Sequence, residues 1–308
     1  MSILVLGSVN VDITAYGARL PLPGETVHAE SYAIALGGKG ANQAVAAARL
    51  GAEVALAGRT GADGFGRMAR DWLAQAGVGT GQLWEDAEHP TGIATIGVAR
   101  DGENAITVVG GANMAIGAED VARLDPAFAT AKVLLLQLEA PLAAGLAAAA
   151  KMRAAGGLTL LDPAPAPGAA FGAEVWTAVD AMTPNESETE ALTGIRPTDQ
   201  ASAARAASVM TERGLRIAVV KMGAGGVYWK APEGEGHVPA FAVKAIDTVA
   251  AGDCFNGGLG FALARGDGLP DALRFANACG ALATTRRGAS DAAPTLAEVE
   301  ALLKAGQA

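Results

Sequence analysis

Short apolar runs alternate along this chain with longer, alanine-rich stretches that have the spacing of amphipathic helices. The short runs predict buried strands, and the longer stretches predict helices that cover them. The predicted strands are Ile3–Leu6, Val54–Ala57, Val133–Leu138, Leu158–Leu161 and Ile217–Val220. The predicted helices are Ala41–Leu50, Phe65–Ala76, Leu142–Ala155, Ala201–Arg213, Ala251–Ala264, Asp271–Thr285 and Leu296–Lys304. This alternation predicts an α/β fold with a mostly parallel central sheet, helices on both faces, and ligands at the carboxyl ends of the strands.

Two segments, about 12–36 and 91–110, interrupt the alternation. In the second, Gly92–Val98 and Asn104–Val109 flank an Asp101-Gly102 turn, which is typical of a β-hairpin. These runs are too short and too polar for central parallel strands, so they predict a small separate β-sheet that projects as a lid. A thin sheet leaves an apolar face and free edges, so we expect it to pack on a closing substrate or on a second subunit.

Composition limits the classes of partner. A chain of 308 residues can form one large α/β domain or two domains, and we expect a single domain over 1–308. The net charge of −9 argues against nucleic acid. The longest apolar stretch, Pro141–Ala150, is too short to span a membrane. Two cysteines and three histidines form no metal-ligand spacing and no disulfide framework, so we expect a cytoplasmic protein with reduced thiols.

The segment from Asp247 to Gly257 carries the strongest chemical signal. It places two acids, Asp247 and Asp253, before an apolar helical stretch, with small residues between them. The backbone amides of Ala251, Gly252 and Asp253 would lie at a helix N-terminus, which favours an anion. A carboxylate beside a phosphate site suits a general base that deprotonates a hydroxyl. Asp253 could equally serve only as a helix cap, since Asp is a common N-cap.

A glycine-rich segment, Gly37–Gln43, opens the first long helix. Its three glycines let the backbone approach a ligand closely, and Lys39 and Asn42 would project toward that ligand. The segment lacks the Ser or Thr of a Walker A loop, and Gln43 occupies the third glycine position of a dinucleotide fingerprint. The alternative is an ordinary helix entry with Lys39 and Asn42 on the surface.

Polar side chains also follow two predicted strands. Asn10 and Asp12 alternate with valines after the first strand, so both point the same way and suit the hydroxyls of a sugar. Turn chemistry is the alternative interpretation, because Asn and Asp favour turns. Glu139 follows the strand Val133–Leu138 and is either a hydroxyl acceptor or a solvated loop residue.

The remaining motifs suit a nucleotide. Asn185 and Glu188 lie three apart at the start of a short helix, where they would reach phosphate or water around Mg²⁺, or form only a capping box. The turn Lys221–Gly226 can pass close to a nucleotide's phosphates, or it is a tight turn into the strand Val227–Trp229. Cys254 is expected to be a small packed residue rather than a nucleophile.

Taken together, these motifs resemble the signatures of the ribokinase (PfkB) carbohydrate kinase family, in order and in spacing over nearly the whole chain. The segments that carry the resemblance are Gly37-Gly-Lys-Gly-Ala-Asn-Gln43, Asp162-Pro-Ala-Pro-Ala166, Thr183-Pro-Asn-Glu186 and Asp247-Thr-Val-Ala-Ala-Gly-Asp253. The resemblance implies transfer of a phosphoryl group from Mg²⁺-bound ATP to the 5-hydroxyl of D-ribose. Another sugar or nucleoside kinase of the family, or an inactive sensor of the same fold, are the alternatives.

The resemblance also implies roles for individual positions. Asp253 would be the general base, with an anion hole at Ala251, Gly252 and Asp253. The implied sugar ligands are Asn10, Asp12, Gly38, Lys39, Gly40, Asn42, Glu139 and Asp253. The implied nucleotide contacts are Asn185, Lys221, Gly223, Gly225, Gly226, Gly252 and Asn277, with Asn185 and Glu188 on the Mg²⁺ side. The implied ligands of a monovalent cation, K⁺, are Asp247, Val249, Ala283, Arg286, Gly288 and Ala292.

Three positions depart from the family pattern: Lys221 replaces a small hydroxyl residue, Cys254 replaces Thr, and Ala292 replaces a Ser that would help to bind the cation. Lids in this family often pair two subunits, so the resemblance further implies a homodimer through the lid.

Overall fold

The computed structural model describes residues 2–167 and 171–306. The expected single domain over 1–308 therefore includes Met1, 168–170 and 307–308, which lie outside the described residues. The strands are β1 (Ser2–Leu6), β2 (Asn10–Gly17), β3 (Ser31–Gly37), β4 (Glu53–Gly61), β5 (Gly79–Asp86), β6 (Gly92–Ala99), β7 (Asn104–Val109), β8 (Val133–Gln137), β9 (Leu158–Asp162), β10 (Ala181–Met182), β11 (Ile217–Lys221), β12 (Val227–Ala231) and β13 (Gly234–Val238). The helices are α1 (Lys39–Arg49), α2 (Gly64–Gln75), α3 (Ala118–Arg123), α4 (Asp125–Phe128), α5 (Leu142–Ala154), α6 (Val175–Ala178), α7 (Glu186–Thr193), α8 (Gln200–Glu212), α9 (Ala251–Arg265), α10 (Leu269–Ala283) and α11 (Leu296–Ala305).

A nine-stranded sheet forms the centre of the molecule, in the order β13-β12-β11-β10-β9-β8-β1-β4-β5. All neighbours pair in parallel except β11 with β12 and β12 with β13, which are antiparallel. One face packs on α1, α2, α9, α10 and α11, and the other packs on α3 to α8. Strand β8 is buried throughout because helices cover both of its faces. The predicted α/β fold is confirmed.

A second, four-stranded sheet has the order β3-β2-β6-β7. Strands β6 and β7 form the predicted hairpin around Asp101 and Gly102, and β2 pairs with β6 in parallel. All six residues of β7 are exposed, so this sheet is open at that edge. The predicted small separate sheet is therefore present beside the central one.

Several short elements were not predicted: β5, β10, β13, α3, α4 and α6. Strand β10 has two residues and α4 has four, which is too short for a periodic pattern to show. Strand β5 mixes exposed and buried polar residues because it forms the edge of the large sheet. In the described part of the chain, no helix has both the length and the apolar character needed to cross a membrane.

Candidate active site

The proposed base, Asp253, lies in the first turn of α9 and is only 5% exposed. Its Oδ2 accepts a hydrogen bond from Asn42 Nδ2 at 3.0 Å, and its Oδ1 accepts one from Gln43 Nε2 at 3.1 Å. The carboxylate thus faces α1. The N-cap of α9 is Ala250, and no side chain caps the helix. The interpretation of Asp253 as a helix cap is therefore wrong, because its oxygens bind side chains of another helix.

The N-terminus of α9 is turned sharply. Ala250 has a φ of 55°, in the left-handed region that a residue with a Cβ atom rarely adopts. The Ala251 amide donates to Thr248 O at 3.3 Å. Among residues 2–167 and 171–306, the amides of Gly252 and Asp253 have no backbone acceptor outside the helix. Two of the three predicted amides are thus available for an anion, and Ala251 is partly engaged.

Burial changes the acid–base behaviour of Asp253. Desolvation raises the pKa of its carboxyl to about 6, against the lowering effect of Lys39 and of the hydrogen bonds from Asn42 and Gln43. The nearby Asp162 carboxylate adds to the rise. A carboxylate with a pKa near 6 is ionised at neutral pH and is a stronger base than an ordinary aspartate.

The glycine-rich segment brings α1 against the end of β1. A Cβ atom on Gly40 would lie 2.6 Å from the Ser8 backbone nitrogen, so only glycine fits there. Gly38 precedes the helix with a φ of 88°. Glu139 joins the two segments, because its Oε2 accepts hydrogen bonds from Ser8 Oγ at 2.6 Å and from the Lys39 amide at 2.9 Å.

The predicted sugar ligands converge in this region. Burial, together with the charges of Glu139 and Asp253, raises the pKa of Asp12 to about 6, so the three carboxylates share one site. Burial lowers the pKa of Lys39, but the surrounding carboxylates outweigh this effect and raise it well above its usual range. The Lys39 ammonium therefore stays charged and partly balances the acids.

Asn42 presents an unused acceptor beside the base. Its Nδ2 donates to Asp253, while its buried Oδ1 has no hydrogen-bond partner among the described residues. A buried polar atom without a partner is costly, and a hydroxyl donor of a ligand would satisfy this oxygen once the groups that cover it move. Asn10 is also buried, and its Oδ1 accepts a hydrogen bond from Asn113.

A charged pair lies beside the predicted anion hole. Lys221 Nζ is 3.2 Å from Asp162 Oδ1, and the two side chains are 12% and 4% exposed. A Cβ atom added at Gly252 would lie 3.5 Å from the same ammonium. Lys221 at the end of β11 therefore places a positive charge next to the free amides of α9.

Asn185 and Glu188 form a reciprocal capping box on α7. The backbone amide of Asn185 donates to Glu188 Oε2 at 2.8 Å, and the backbone amide of Glu188 donates to Asn185 Oδ1 at 2.9 Å. Burial raises the pKa of Glu188, although the charge of Lys221 opposes that rise. The capping alternative is thus realised. The same carboxylate still lies close enough to Lys221 and Lys39 for their charges to affect its pKa, so it also borders the site.

The predicted nucleotide turn forms a 3-10 segment, Gly223–Gly225, before β12. His237 Nε2 lies 2.7 Å from Gly225 O and ties this turn to β13. Asn277 on α10 donates from Nδ2 to Val238 O and to Pro239 O, both at 3.1 Å. Asn277 thus holds the segment that follows β13, and Gly226 fits closely under the same segment.

The predicted cation ligands come from two adjacent loops. Asp247 joins these loops, because Oδ1 accepts from the Val249 amide at 3.0 Å and Oδ2 accepts from the Gly288 amide at 3.2 Å. In residues 2–167 and 171–306, the carbonyls of Val249, Arg286 and Gly288 accept no hydrogen bond from the backbone outside helices and strands. Free carbonyls and a carboxylate fit a monovalent cation. The Ala283 carbonyl is engaged by the Arg286 amide at 3.3 Å, and Ala292 is fully buried and offers no side-chain oxygen.

Several polar residues of this site were not predicted from the sequence. Gln43 Nε2 donates to Asp162 Oδ2 at 3.1 Å as well as to Asp253, and Gln43 Oε1 accepts from Gln137 Nε2 at 2.7 Å. Ser8 and Asn113 are the others. Gln43 and Asp162 stand within motifs of the sequence, but an isolated Gln137 or Asn113 gives no local signal because its partners are distant along the chain.

Cys254 is 1% exposed, and burial raises the pKa of its thiol to about 12. The thiol is therefore protonated and inaccessible, as expected for a packed residue and not for a nucleophile.

Residues 1–296 match the model of the pfkB family of carbohydrate kinases, so the chain belongs to this family. The chain is 40% identical over 298 residues to a ribokinase of Haemophilus influenzae, covering 96% of each chain. It is similar to the structure of ribokinase from Thermotoga maritima, with a TM-score of 0.88, 35% identity and coverage of 98% of this chain and 99% of the other. It is also similar to a structure of Arabidopsis thaliana ribokinase in complex with ribose and ATP, with a TM-score of 0.90, 30% identity and 98% coverage of both.

Proposed function

We propose that this protein transfers the γ-phosphoryl group of ATP to the 5-hydroxyl of D-ribose and yields D-ribose 5-phosphate and ADP. The observation that carries the proposal is the position of Asp253. Its buried carboxylate lies between side chains suited to sugar hydroxyls, such as Asn42, and the free amides at the start of α9. The similarity to ribokinases, including one in complex with ribose and ATP, supports the same substrates here.

In the proposed reaction, Asp253 takes the proton of the 5-hydroxyl as that oxygen attacks the γ-phosphorus. An oxygen–phosphorus bond forms, the bond between the γ-phosphorus and the bridging oxygen breaks, and ADP leaves. Charge that develops on the transferred group is met by the amides of Gly252 and Asp253 and by the dipole of α9. The sugar is held so that its 5-hydroxyl faces the base. The side chains that hold it are Asn10, Asp12, Lys39, Asn42 and Glu139.

ATP requires a counter-ion at this site. Mg²⁺ bound with the nucleotide supplies charge neutralisation at the phosphate oxygens. Glu188 and Asn185 would hold it through water, since both Glu188 oxygens already accept hydrogen bonds from Asn185. Lys221, Gly223, Gly225, Gly226 and Asn277 line the remaining nucleotide side in this proposal.

We further propose that K⁺ binds between the two loops joined by Asp247. The free carbonyls of Val249, Arg286 and Gly288 would hold it, and Asp247 would supply the charge. Because the same loop leads through Ala250 into α9, an occupied cation site would fix the amides of the anion hole. Ala283 and Ala292 complete the predicted set through their backbones only.

The small sheet is the proposed site of homodimer formation. Strand register places Tyr16, Ile106 and Val108 on the same face as Asp12, and these apolar side chains are 41%, 58% and 52% exposed. A second copy that packs on this face would cover them and border the sugar pocket. Light scattering should show a dimer, and Ile106→Glu should shift it to monomer; a monomeric wild-type protein at working concentration would contradict this proposal.

ATP is an intracellular co-substrate, so we propose that the enzyme works in the cytoplasm, where Cys254 and Cys279 stay reduced. Nucleic acid and membrane have no part in this proposal.

The function is tested by measuring ADP release from Mg²⁺ and ATP with ribose, 2-deoxyribose, fructose and adenosine, and without any acceptor. Ribose should give the highest kcat/KM, with ADP release near background when no acceptor is present. A higher kcat/KM for another compound would make the protein a different kinase of the same family. Turnover with none of them would favour an inactive sensor.

A further inference from the structure

Asn113 lies in a 3-10 turn, Gly111–Ala115, directly after the last strand of the small sheet. It is 1% exposed, and each of its side-chain polar atoms has a partner. Two of these bonds go to the backbone of Val9, and the third goes to the side chain of Asn10. Asn113 therefore connects the end of the lid strands with a residue of the proposed sugar site.

The backbone of Val9 fixes the orientation of the Asn113 amide. The Val9 amide can only donate, so the atom that faces it at 2.8 Å must be Oδ1 of Asn113. Asn113 Nδ2 then faces Val9 O at 3.2 Å and Asn10 Oδ1 at 2.8 Å. Since Nδ2 can only donate, the atom of Asn10 that it meets must be the oxygen.

The orientation of Asn10 follows from this chain of bonds. With its Oδ1 held by Asn113, Asn10 must turn its Nδ2 to the other side, and no acceptor for that Nδ2 is present in residues 2–167 and 171–306. The nitrogen is thus available to a ligand as a hydrogen-bond donor. The sugar atom that meets it must be an acceptor, either a hydroxyl oxygen or a ring oxygen.

Gly92 leaves the space that this pair needs. A Cβ atom at Gly92 would lie 2.2 Å from Asn10 Oδ1 and 2.3 Å from Asn113 Nδ2. Gly92 is the first residue of β6 and pairs in register with Asn10. The hydrogen-bonded pair therefore lies where the small sheet joins the rest of the molecule.

We propose that Asn113 is a positioning residue that fixes the side-chain amide of Asn10, so that the sugar site offers a donor and not an acceptor at this point. The proposal rests on the proposed function, because it assigns Asn10 to the sugar. It predicts that sugar affinity depends on Asn113 although Asn113 does not contact the sugar.

The test compares Asn113→Ala and Asn113→Asp with the wild type in kinase kinetics and in calorimetric titration of ribose without ATP. Each variant should raise the ribose KM and the ribose Kd by about tenfold, because one oriented hydrogen bond is lost. The KM for ATP should stay within about twofold of wild type, since the nucleotide side is untouched. Gln75→Glu, an exposed amide-to-acid change at the end of α2, is the matched control and should alter neither constant.

A double-mutant cycle separates positioning from general destabilisation. In an Asn10→Ala background, Asn113→Ala should change the ribose KM by less than about twofold, because no amide remains to be oriented. A full additional tenfold rise in that background, or an unchanged ribose KM in both single variants, would overturn the inference. Wild-type protein that neither binds nor phosphorylates ribose would instead overturn the proposed function; the same cycle, run with whichever sugar is turned over, would then test Asn113.

Discussion

The side-chain amide of Gln43 donates a hydrogen bond to Asp253 Oδ1 and another to Asp162 Oδ2, each with a length of 3.1 Å. Gln137 Nε2 donates to Gln43 Oε1 at 2.7 Å, so the Gln43 amide cannot rotate without losing that bond. The neutral side chain of Gln43 thus lies between two buried carboxylates and fixes the orientation of the Asp253 carboxylate. This arrangement holds the proposed base in place without neutralising it.

Replacing Gln43 should therefore weaken catalysis more than folding. Gln43→Leu should lower kcat by about tenfold or more, because a hydrogen bond to an ionised carboxylate is lost. That bond also lowers the pKa of Asp253, which burial nonetheless raises to about 6, so loss of the bond should raise this pKa further and move the acid limb of the pH profile upward. The measurement is kcat against pH. Gln75→Leu, an exposed change at the end of α2, serves as the control, and a profile identical to wild type in Gln43→Leu would contradict the assignment.

Stability should depend on pH through Asp12. Burial and the neighbouring acids raise the pKa of Asp12 from 3.8 to about 6 in the folded state. Its protonated form therefore stabilises the fold; this contribution is complete below about pH 4 and is lost as the pH rises through about 6. Asp12→Asn should raise the free energy of unfolding at pH 7.5 by up to about 3 kcal/mol and have little effect at pH 4. Urea unfolding at both pH values measures this, and equal effects at the two values would contradict it.

The fold and the outline of the site were predictable from the sequence, because the strands of the core are continuous apolar runs such as Val133–Leu138 and the glycine-rich segment is local. The small sheet was also predictable, since the turn between β6 and β7 has a strong Asp-Gly signal. The Gln43–Asp253 bond joins residues 210 positions apart, and Asn113 meets Asn10 across 103 positions. Such pairings depend on tertiary packing, so no spacing in the sequence could reveal them.

The direction of the Asp253 side chain was not predictable either. Its position in the first turn of a helix suggests capping, but its carboxylate accepts hydrogen bonds from Asn42 and Gln43 on α1 instead. Ala250 then occupies the cap position in a left-handed conformation. Glycine adopts this conformation readily and alanine does not, so the sequence does not indicate it.

The buried Lys221–Asp162 pair should contribute to stability and to nucleotide binding separately. Lys221→Met removes the direct ion pair of Asp162 and leaves it only the charge of Lys39, which lies beyond contact distance, so it should lower the free energy of unfolding by up to about 3–5 kcal/mol. Adding Asp162→Asn should restore most of that loss, because the uncompensated charge is removed. If Lys221 contacts phosphate, the KM for ATP should remain raised by about tenfold in the double variant. A double variant with normal KM for ATP would limit Lys221 to a structural role.

Activity should respond to the monovalent cation. With K⁺ titrated into Tris buffer, the rate should rise to saturation, because an occupied site between the Asp247 and Gly288 loops would fix the start of α9. Ala292→Ser should lower the K⁺ concentration needed for half activation by adding a hydroxyl ligand. Ala293→Ser is the matched control, since both alanines are fully buried. An unchanged rate across the titration would show that the cation has no part in the reaction.

The most direct test of Asp253 as the base is to compare wild type with Asp253→Asn in one assay with ribose, Mg²⁺ and ATP, and to identify the product by ³¹P NMR. Wild type should give a phosphate ester at the primary carbon of ribose. Asp253→Asn should lower kcat by about 10²–10⁴-fold, because no base is left to take the proton, while the KM for ATP stays near the wild-type value. Near-normal turnover by Asp253→Asn, or a wild-type product that carries phosphate elsewhere, would contradict the proposed reaction.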